Sequence, residues 1–220
     1  MDRLIDLSHA IEEGMVTFKG FPGPHLCDYW TREESAAHYD DGSSFHIGRI
    51  DMIANTGTYV DSPFHRYADG ADLAALPLAS LADLDALVIR KPFGEGLATD
   101  AADFEGRDVR GKAVLVHSGW DRHWRTEAYF DHHPFLTAAA AEWLVANGAA
   151  FVGIDSHNID DTRTRSRPVH SKLLAAGIPI GEHLTNLAAV PDRGFAFSAV
   201  PPKVKGMGTF PVRAYARVPV

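Results

Sequence analysis

The sequence has few of the features that mark secreted and membrane proteins. It contains one cysteine, Cys27, so no disulfide can form within the chain, and a reducing, cytoplasmic location is predicted. No apolar run approaches the ~20 residues that a membrane-spanning helix needs. The first residues, MDRLIDLSHA, do not read as a secretory signal. Together these absences argue against a secreted or membrane-embedded protein.

Positive charge is also scarce. Lys and Arg number 21 against 29 Asp and Glu, the net charge is −8, and no run of Lys or Arg exceeds two residues. Nucleic acid and anionic membranes are therefore not expected as partners. The chain also lacks the Gly-x-Ser-x-Gly pattern of serine hydrolases and the glycine spacing of a phosphate-binding loop.

Hydrophobic patterning is what the sequence does have. A chain of 220 residues, 45% hydrophobic and 23% charged, fits a single domain over residues 1–220. The segment TAAAAEWLVANGA predicts a helix with Thr137 as N-cap and Gly148 just past its end. The flanking segments KAVLVHSGW and AAFVGIDS read as buried strands. Strand, helix and strand in this order indicate a parallel crossover unit.

A second helix and further strands follow from the same patterns. A short helix is predicted over 169–176, with a stop at Gly177 and a strand near 178–181. Other predicted strands cover 49–57, 85–92, 194–200 and 211–220. The stretch 14–45, rich in Gly, Pro and aromatic residues, is predicted to be a long irregular loop. The pattern as a whole predicts a mixed α/β domain with few helices and a substantial β component.

The densest group of candidate functional residues lies in NTGTYVDSPFH, residues 55–65. In an extended chain alternate side chains share one face, which would bring Asn55, Tyr59 and Asp61 together. Pro63 would end regular strand pairing and set the direction of His65. The arrangement can aim a carboxylate and an imidazole into one cavity.

This segment resembles the signature H-x-G-T-H-x-D-x-P-x-H of the cyclase family of metal-dependent hydrolases, which includes bacterial kynurenine formamidases and isatin hydrolases. Asn55 and Tyr59 stand where the family has its first two motif histidines. The resemblance extends through IDLSHAIEEGMVTFKGFPGP, HSGW, GIDS, HSKLLAAGIPIGEHLTNL and PPKVKGMGTFPVRAYA. It implies one domain with a barrel-like mixed β-sheet core of the swivelling β/β/α kind, a few flanking helices, and a homodimer or homotetramer.

The resemblance also implies a metal site and a reaction. Asp61 with His170 and Glu182 would hold one divalent ion, manganese or zinc, because Asn and Tyr are poor replacements for imidazole ligands. The reaction would be hydrolysis of the C–N bond of a small, aromatic amide, formamide or lactam, with the ion activating water.

The remaining site residues have predicted roles around this ion. His65 is the predicted general acid and base. Tyr59 is predicted to hydrogen-bond a carbonyl or oxyanion in place of a lost metal contact. Asn55, Trp120 and Phe18 are predicted substrate contacts, although core packing is the alternative for both aromatic residues.

Two other functions remain open from the sequence. One is a metal-free lyase or cyclase in which Tyr59, Asp61 and His65 transfer protons unaided. The other is a non-catalytic relative that kept the pocket. The hydrolase hypothesis requires Asp61 and His65 to meet His170 and Glu182, over a hundred positions away along the chain.

Overall fold

The computed structural model describes residues 2–219. In this part of the chain the strands are β1 (Arg3–Asp6), β2 (His25–Trp30), β3 (Ile47–Asp51), β4 (Tyr59–Asp61), β5 (Leu84–Arg90), β6 (Ala98–Thr99), β7 (Ala113–His117), β8 (Phe135–Leu136), β9 (Phe151–Ile154), β10 (Ile180–Glu182), β11 (Arg193–Ser198), β12 (Thr209–Pro211) and β13 (Tyr215–Val218). The α-helices are α1 (Arg32–Ala36), α2 (Ala138–Ala146) and α3 (Pro168–Ala175). None of these helices is long and apolar enough to cross a membrane.

Nine strands form one mixed sheet in the order β1-β13-β11-β5-β7-β9-β10-β4-β12. The central strands β5, β7, β9 and β10 pair in parallel, and antiparallel strands flank them on both sides. The predicted crossover is confirmed, because α2 connects the parallel strands β7 and β9. Thr137 caps α2 as predicted, its hydroxyl accepting the Ala140 N–H at 3.1 Å. The predicted α/β class with a mixed sheet and few helices is confirmed.

Both faces of the sheet are buried, which explains the continuous apolar runs of its central strands. Along β7, Ala113 and Leu115 face one hydrophobic cluster, whereas Val114 and Val116 face the other. Helices α2 and α3 pack against each other over this second face. The polar site described below therefore lies next to a rigid, closely packed framework.

Two sequence predictions were wrong in detail. The predicted loop 14–45 contains β2 and α1, and β2 pairs with β3 in a separate two-stranded hairpin. Thr31 and Glu34 close a reciprocal capping box at α1, which a composition-based prediction overlooks. The predicted strand 49–57 ends at Asp51, because the chain turns at residues 54–58 before β4 begins. Gly57 lies in that turn with a φ of +65°.

The register around β4 brings distant parts of the chain together. Strand β4 lies between β10 and β12, antiparallel to both. Glu182 is directly opposite Tyr59 on one side, and Thr209 is directly opposite Asp61 on the other. Cross-strand partners of this kind have Cβ atoms about 5 Å apart, so their side chains touch. Helix α3 leads into β10 and carries His170 to the same place.

Candidate metal centre and active site

Asp61, His65, His170 and Glu182 converge on one cavity, as the hydrolase hypothesis requires. The His170 Nε2 atom lies 3.6 Å from Asp61 Oδ2 and 3.5 Å from Glu182 Oε1. The His65 Nδ1 atom lies 3.4 Å from Asp61 Oδ1. Four side chains from β4, the turn after it, α3 and β10 thus form one polar cluster.

Asp61 is fully buried, yet one of its carboxylate oxygens has no partner. The Thr209 hydroxyl donates a hydrogen bond to Oδ1. The Oδ2 atom is buried without any hydrogen bond within the described residues and faces His170. A buried, unpaired carboxylate oxygen is costly, and coordination of a cation would satisfy it.

His170 is held with one ring nitrogen directed into the cluster. Asp160 accepts the N–H groups of Val169 at 2.8 Å and of His170 at 3.0 Å, at the start of α3. The same carboxylate accepts the Nδ1 proton of His170 at 2.6 Å. Burial alone would lower the pKa of His170, but Glu182, Asp160 and Asp61 outweigh it and raise that pKa. A carboxylate–imidazole pair of this kind orients a histidine for metal binding through Nε2.

Glu182 is fully buried, and both of its oxygens accept hydrogen bonds. The Ile159 N–H donates to Oε1 at 2.7 Å, and the Tyr59 hydroxyl donates to Oε2 at 2.5 Å. Burial raises the pKa of Glu182, while the neighbouring His170 opposes that rise. Each carboxylate oxygen has two acceptor positions, so Oε1 can still bind a cation.

The spacing of these groups fits a single divalent ion. Two ligands at about 2.1 Å from a tetrahedral ion lie about 3.4 Å apart. The distances of His170 Nε2 to Asp61 Oδ2 and to Glu182 Oε1, 3.6 and 3.5 Å, are close to that separation. Among the described residues, the group whose ligand atoms all lie within 4.8 Å of one another is Asp61, His65 and His170. Glu182 lies outside that group, although its Oε1 atom is 3.5 Å from His170 Nε2, so His65 and Glu182 are the two candidates for the third ligand. The residues present therefore fit a metal ion.

His65 stands beside this set with a free basic nitrogen. Its Nδ1 atom lies 2.8 Å from the Thr209 hydroxyl oxygen. Because that hydroxyl gives its proton to Asp61, the Nδ1 atom of His65 must carry the proton of this contact. The Nε2 lone pair is then free to accept a proton. The backbone at Gly208 lies against the backbone of His65, which only glycine allows, because a Cβ at position 208 would lie 2.6 Å from the His65 backbone.

Tyr59 lies in the cluster beside Glu182 and also lines the cavity. Its side chain is buried, and its one phenolic proton is donated to Glu182. Burial and the charges of Glu182 and Asp61 raise the pKa of this phenol well above its ordinary value. In this geometry Tyr59 is a neutral donor to Glu182, so its proton is not free for a substrate oxyanion.

The cluster opens into a cavity of about 540 Å³, which is within the range of small-molecule sites. Phe18 and Asn55, both predicted substrate contacts, line it. The structure does not bring Trp120 to this cavity. Its ring is buried elsewhere, and its indole N–H donates to the Tyr129 carbonyl oxygen at 3.0 Å. Core packing, the alternative that the sequence left open for Trp120, describes this environment.

Two further histidines near the cavity, His157 and His183, were not among the predicted site residues. His157 lines the cavity, is 6% exposed, and has an Nδ1 atom without a hydrogen-bond partner among the described residues. Burial, followed by the electrostatic effect of His133, Arg167 and Lys19, lowers the pKa of His157 to about 3, so its ring is neutral. Its ring lies 4.7 Å from that of Phe18. His183, buried behind Phe18, has a φ of +57° and bonds the Tyr129 hydroxyl at 2.9 Å. The sequence signal that could have identified them is their position. His157 directly follows the family-like segment GIDS, and His183 lies within HSKLLAAGIPIGEHLTNL.

Replacing Asp160 by asparagine is expected to weaken metal binding about 10- to 100-fold, because His170 would lose the carboxylate that orients its ring. Affinity for Mn²⁺ or Zn²⁺ would be measured by competition with a chelator of known affinity. Asp161→Asn is the matched control, since Asp161 pairs with Arg163 on the adjacent loop. An unchanged dissociation constant in Asp160→Asn would contradict the positioning role.

The fold and site together define an α/β protein with a buried carboxylate and imidazole centre at the edge of a mixed sheet, open to a ligand-sized cavity. The family model described as "Putative cyclase" matches residues 5–161. The chain belongs to the cyclase family.

Curated relatives are similar over nearly the whole chain. The kynurenine formamidase of Geobacillus thermodenitrificans is 29% identical over 220 residues, which is 99% of this chain and 98% of that protein. The kynurenine formamidase of Erythrobacter litoralis is 28% identical over 209 residues, 92% of this chain and 88% of the relative. The similarity therefore includes the late segment with His170 and Glu182.

Solved structures share the fold. Isatin hydrolase A of Ralstonia solanacearum superposes with a TM-score of 0.83 at 21% identity, covering 99% of this chain and 92% of that one. A potential metal-dependent hydrolase with cyclase activity gives 0.81 at 24% identity, with both chains fully covered. At these identities the likeness supports the cyclase-family fold.

Proposed function

We propose that this protein is a metal-dependent hydrolase that cleaves the C–N bond of a small aryl amide, formamide or lactam, with one ion held by Asp61, His170 and Glu182. The single observation that carries the proposal is the unpaired, buried Oδ2 atom of Asp61, aimed at an imidazole that a carboxylate has already oriented. The kynurenine formamidases that resemble the chain end to end support the amide substrate class.

The residues around the cluster have distinct tasks in this reaction. A bound divalent ion would polarise the substrate carbonyl and lower the pKa of a water molecule. His65 accepts a proton from the attacking water at Nε2 and returns it to the departing nitrogen. Thr209 holds the His65 ring through Nδ1. The hydrogen bonds from Tyr59 and the Ile159 N–H fix Glu182 in place and oppose the rise in its pKa that burial causes.

Substrate orientation comes from the cavity walls. Phe18 and His157 present ring faces and edges to a planar group, and Asn55 offers an amide that can donate or accept. These contacts select a flat, mostly apolar compound.

Metal content and turnover of the purified protein test this function. We expect near-stoichiometric manganese or zinc, release of aniline from formanilide, loss of activity on chelation, and recovery with one of the two metals. An oxygen-rich ligand set with one imidazole accepts either ion. Turnover that survives complete metal removal would instead favour a metal-free lyase or cyclase using Asp61 and His65. Absence of both metal and turnover would favour a non-catalytic binding relative.

We also propose that the chain works as a homodimer or homotetramer in the cytoplasm. The hairpin of β2 and β3 stands apart from the main sheet, and all five residues of β3 are exposed. Ile50 on this hairpin is 56% exposed. A separate two-stranded hairpin is marginally stable in water, so packing its exposed apolar side chains against a second copy of the chain would stabilise it.

Light scattering would measure the assembly. We expect a mass of two or four times the 24.0 kDa of the chain. Ile50→Asp is expected to lower that mass by placing a charge in the interface. Leu78→Asp is the matched control, because Leu78 is 66% exposed and lies outside the hairpin. A monomer in the unmodified protein would refute the assembly.

A further inference from the structure

A small side cavity of about 120 Å³ adjoins the metal cluster. It is lined by His65, Arg66, Asn158, Arg167 and His170, and all of these except Arg66 also line the main cavity. The two cavities are therefore adjacent, with His65 and His170 on the boundary between them. The volume corresponds to roughly four waters at ~30 Å³ each, enough for a carboxylate group.

Arg167 carries a positive charge that no carboxylate in residues 2–219 neutralises. Its Nη1 atom donates to the backbone oxygens of Thr164 at 2.8 Å and Ser166 at 2.7 Å. No hydrogen bond joins its Nε or Nη2 atoms to the described part of the chain. Asp161, the nearest acid along the loop, is occupied by two hydrogen bonds from Arg163, each 2.8 Å long. The guanidinium of Arg167 is thus fixed in orientation while two of its donor nitrogens stay free.

Arg66 supplies a second guanidinium to the same cavity. Its Nε atom donates to the Ser171 hydroxyl at 3.2 Å, and that hydroxyl donates to the Arg167 carbonyl oxygen at 2.8 Å. Through Ser171, Arg66 is thereby linked to α3 and to Arg167, the residue that directly precedes this helix. No ion pair within 4.0 Å links Arg66 to an acid among the described residues. The Asn158 amide adds a neutral donor to the wall.

Two unpaired guanidinium groups at one pocket are unusual in a chain with a net charge of −8. Guanidinium donors match the two oxygens of a carboxylate, and charge-assisted hydrogen bonds of this kind are about twice as strong as neutral ones. The main cavity also contains the carboxylates of Asp61 and Glu182, with Lys19 and Asp131 at its rim, and none of these four lines the side cavity. Arg66 and Arg167 are therefore the charged side chains of the side cavity, next to the proposed metal ligands.

We propose that this side cavity binds the carboxylate of an acidic substrate, so that the preferred substrates are aryl amides with an anionic substituent. This inference rests on the proposed amide hydrolysis for its substrate class. The aromatic ring would lie toward Phe18 and His157, and the carboxylate would lie against Arg66 and Arg167. The scissile bond would then be next to His65, between the two ends.

Matched substrates test the proposal. N-formyl derivatives of 2-, 3- and 4-aminobenzoate would be compared with formanilide, which lacks only the carboxylate. We expect at least one acidic isomer to exceed formanilide about 10-fold or more in kcat/KM, mainly through a lower KM. In Arg167→Gln and Arg66→Gln this ratio is expected to fall about 10-fold or more. Arg163→Gln, on the same loop but already paired, is expected to keep it. Equal ratios in all variants, or a preference for formanilide in the unmodified enzyme, would overturn the proposal.

Binding without turnover separates this inference from the proposed function. Calorimetric titration of the unmodified protein with the aminobenzoates and with aniline requires no hydrolysis. Binding of an aminobenzoate, absent for aniline and lost in Arg167→Gln, would support the subsite even if no amide were cleaved. Absence of aminobenzoate binding would overturn it. Equal affinity for acetate or phosphate would also overturn it, because the cavity would then hold free anions and not a substrate group.

Discussion

Replacing Asp61 by asparagine is expected to abolish metal binding and to lower kcat/KM for an aryl formamide by about 1000-fold or more. The substitution keeps the shape and one acceptor oxygen of the side chain but removes the charge that faces His170. Loss of the ion removes several kcal/mol of stabilisation of the developing negative charge, and each ~1.4 kcal/mol is tenfold in rate. Elemental analysis and initial rates on the same preparation would measure both effects.

Asp61→Asn also provides a check on folding. Thr209 can still donate to the remaining amide oxygen, so the pairing of β4 with β12 is expected to persist. Asp69→Asn is the matched control, because Asp69 is exposed eight residues further along and does not line the cavity. A variant that kept a full equivalent of metal would place the ion elsewhere and remove the basis of the proposed function.

Replacing His65 by asparagine is expected to lower kcat about 10²- to 10⁴-fold while the metal content stays unchanged. Asparagine places an amide N–H near the position of Nδ1, so the contact with Thr209 can be kept. What disappears is the free Nε2 atom, which is the proposed proton acceptor. Single-turnover rates and metal analysis would separate the loss of proton transfer from the loss of the ion.

The alternative ligand set gives a different result for the same variant. If His65 binds the ion together with Asp61 and His170, His65→Asn would lose metal as well as activity. Glu182→Gln would then keep the ion, whereas the proposed set requires that it be lost. His132→Asn is the control for histidine removal, because His132 is exposed and its φ of +50° suits asparagine. The two variants together identify the third ligand.

Local sequence patterns determined much of the secondary structure. Helix α2 was predictable because Thr137, an alanine-rich interior and Gly148 are signals that act within one or two turns. Helix α3 and β10 were predictable for the same reason. The hairpin of β2 and β3 was not, since strand pairing depends on a partner some twenty residues away and its composition resembles a loop.

The candidate site was likewise predictable in part: the sequence indicated its residues but not their arrangement in space. The residue types of the motif, together with the resemblance to the cyclase family, were enough to select Asp61, His65, His170 and Glu182 from the sequence. Their meeting at distances of 3.4 to 3.6 Å depends on the antiparallel register of β4 with β10 and on the placement of α3. Such register comes from packing of the whole sheet, and no local pattern contains it.

The sequence by itself therefore determined the α/β class, the two long helices and the chemical identity of the reactive groups, because propensity and periodicity are properties of neighbouring residues. Only the tertiary structure decided how those groups are used. In it, the phenolic proton of Tyr59 is donated to Glu182, Trp120 lies away from the cavity, and Arg66 and Arg167 have no carboxylate partner within residues 2–219. The physical reason is that hydrogen bonding and desolvation act between atoms that are close in space, whatever their separation along the chain.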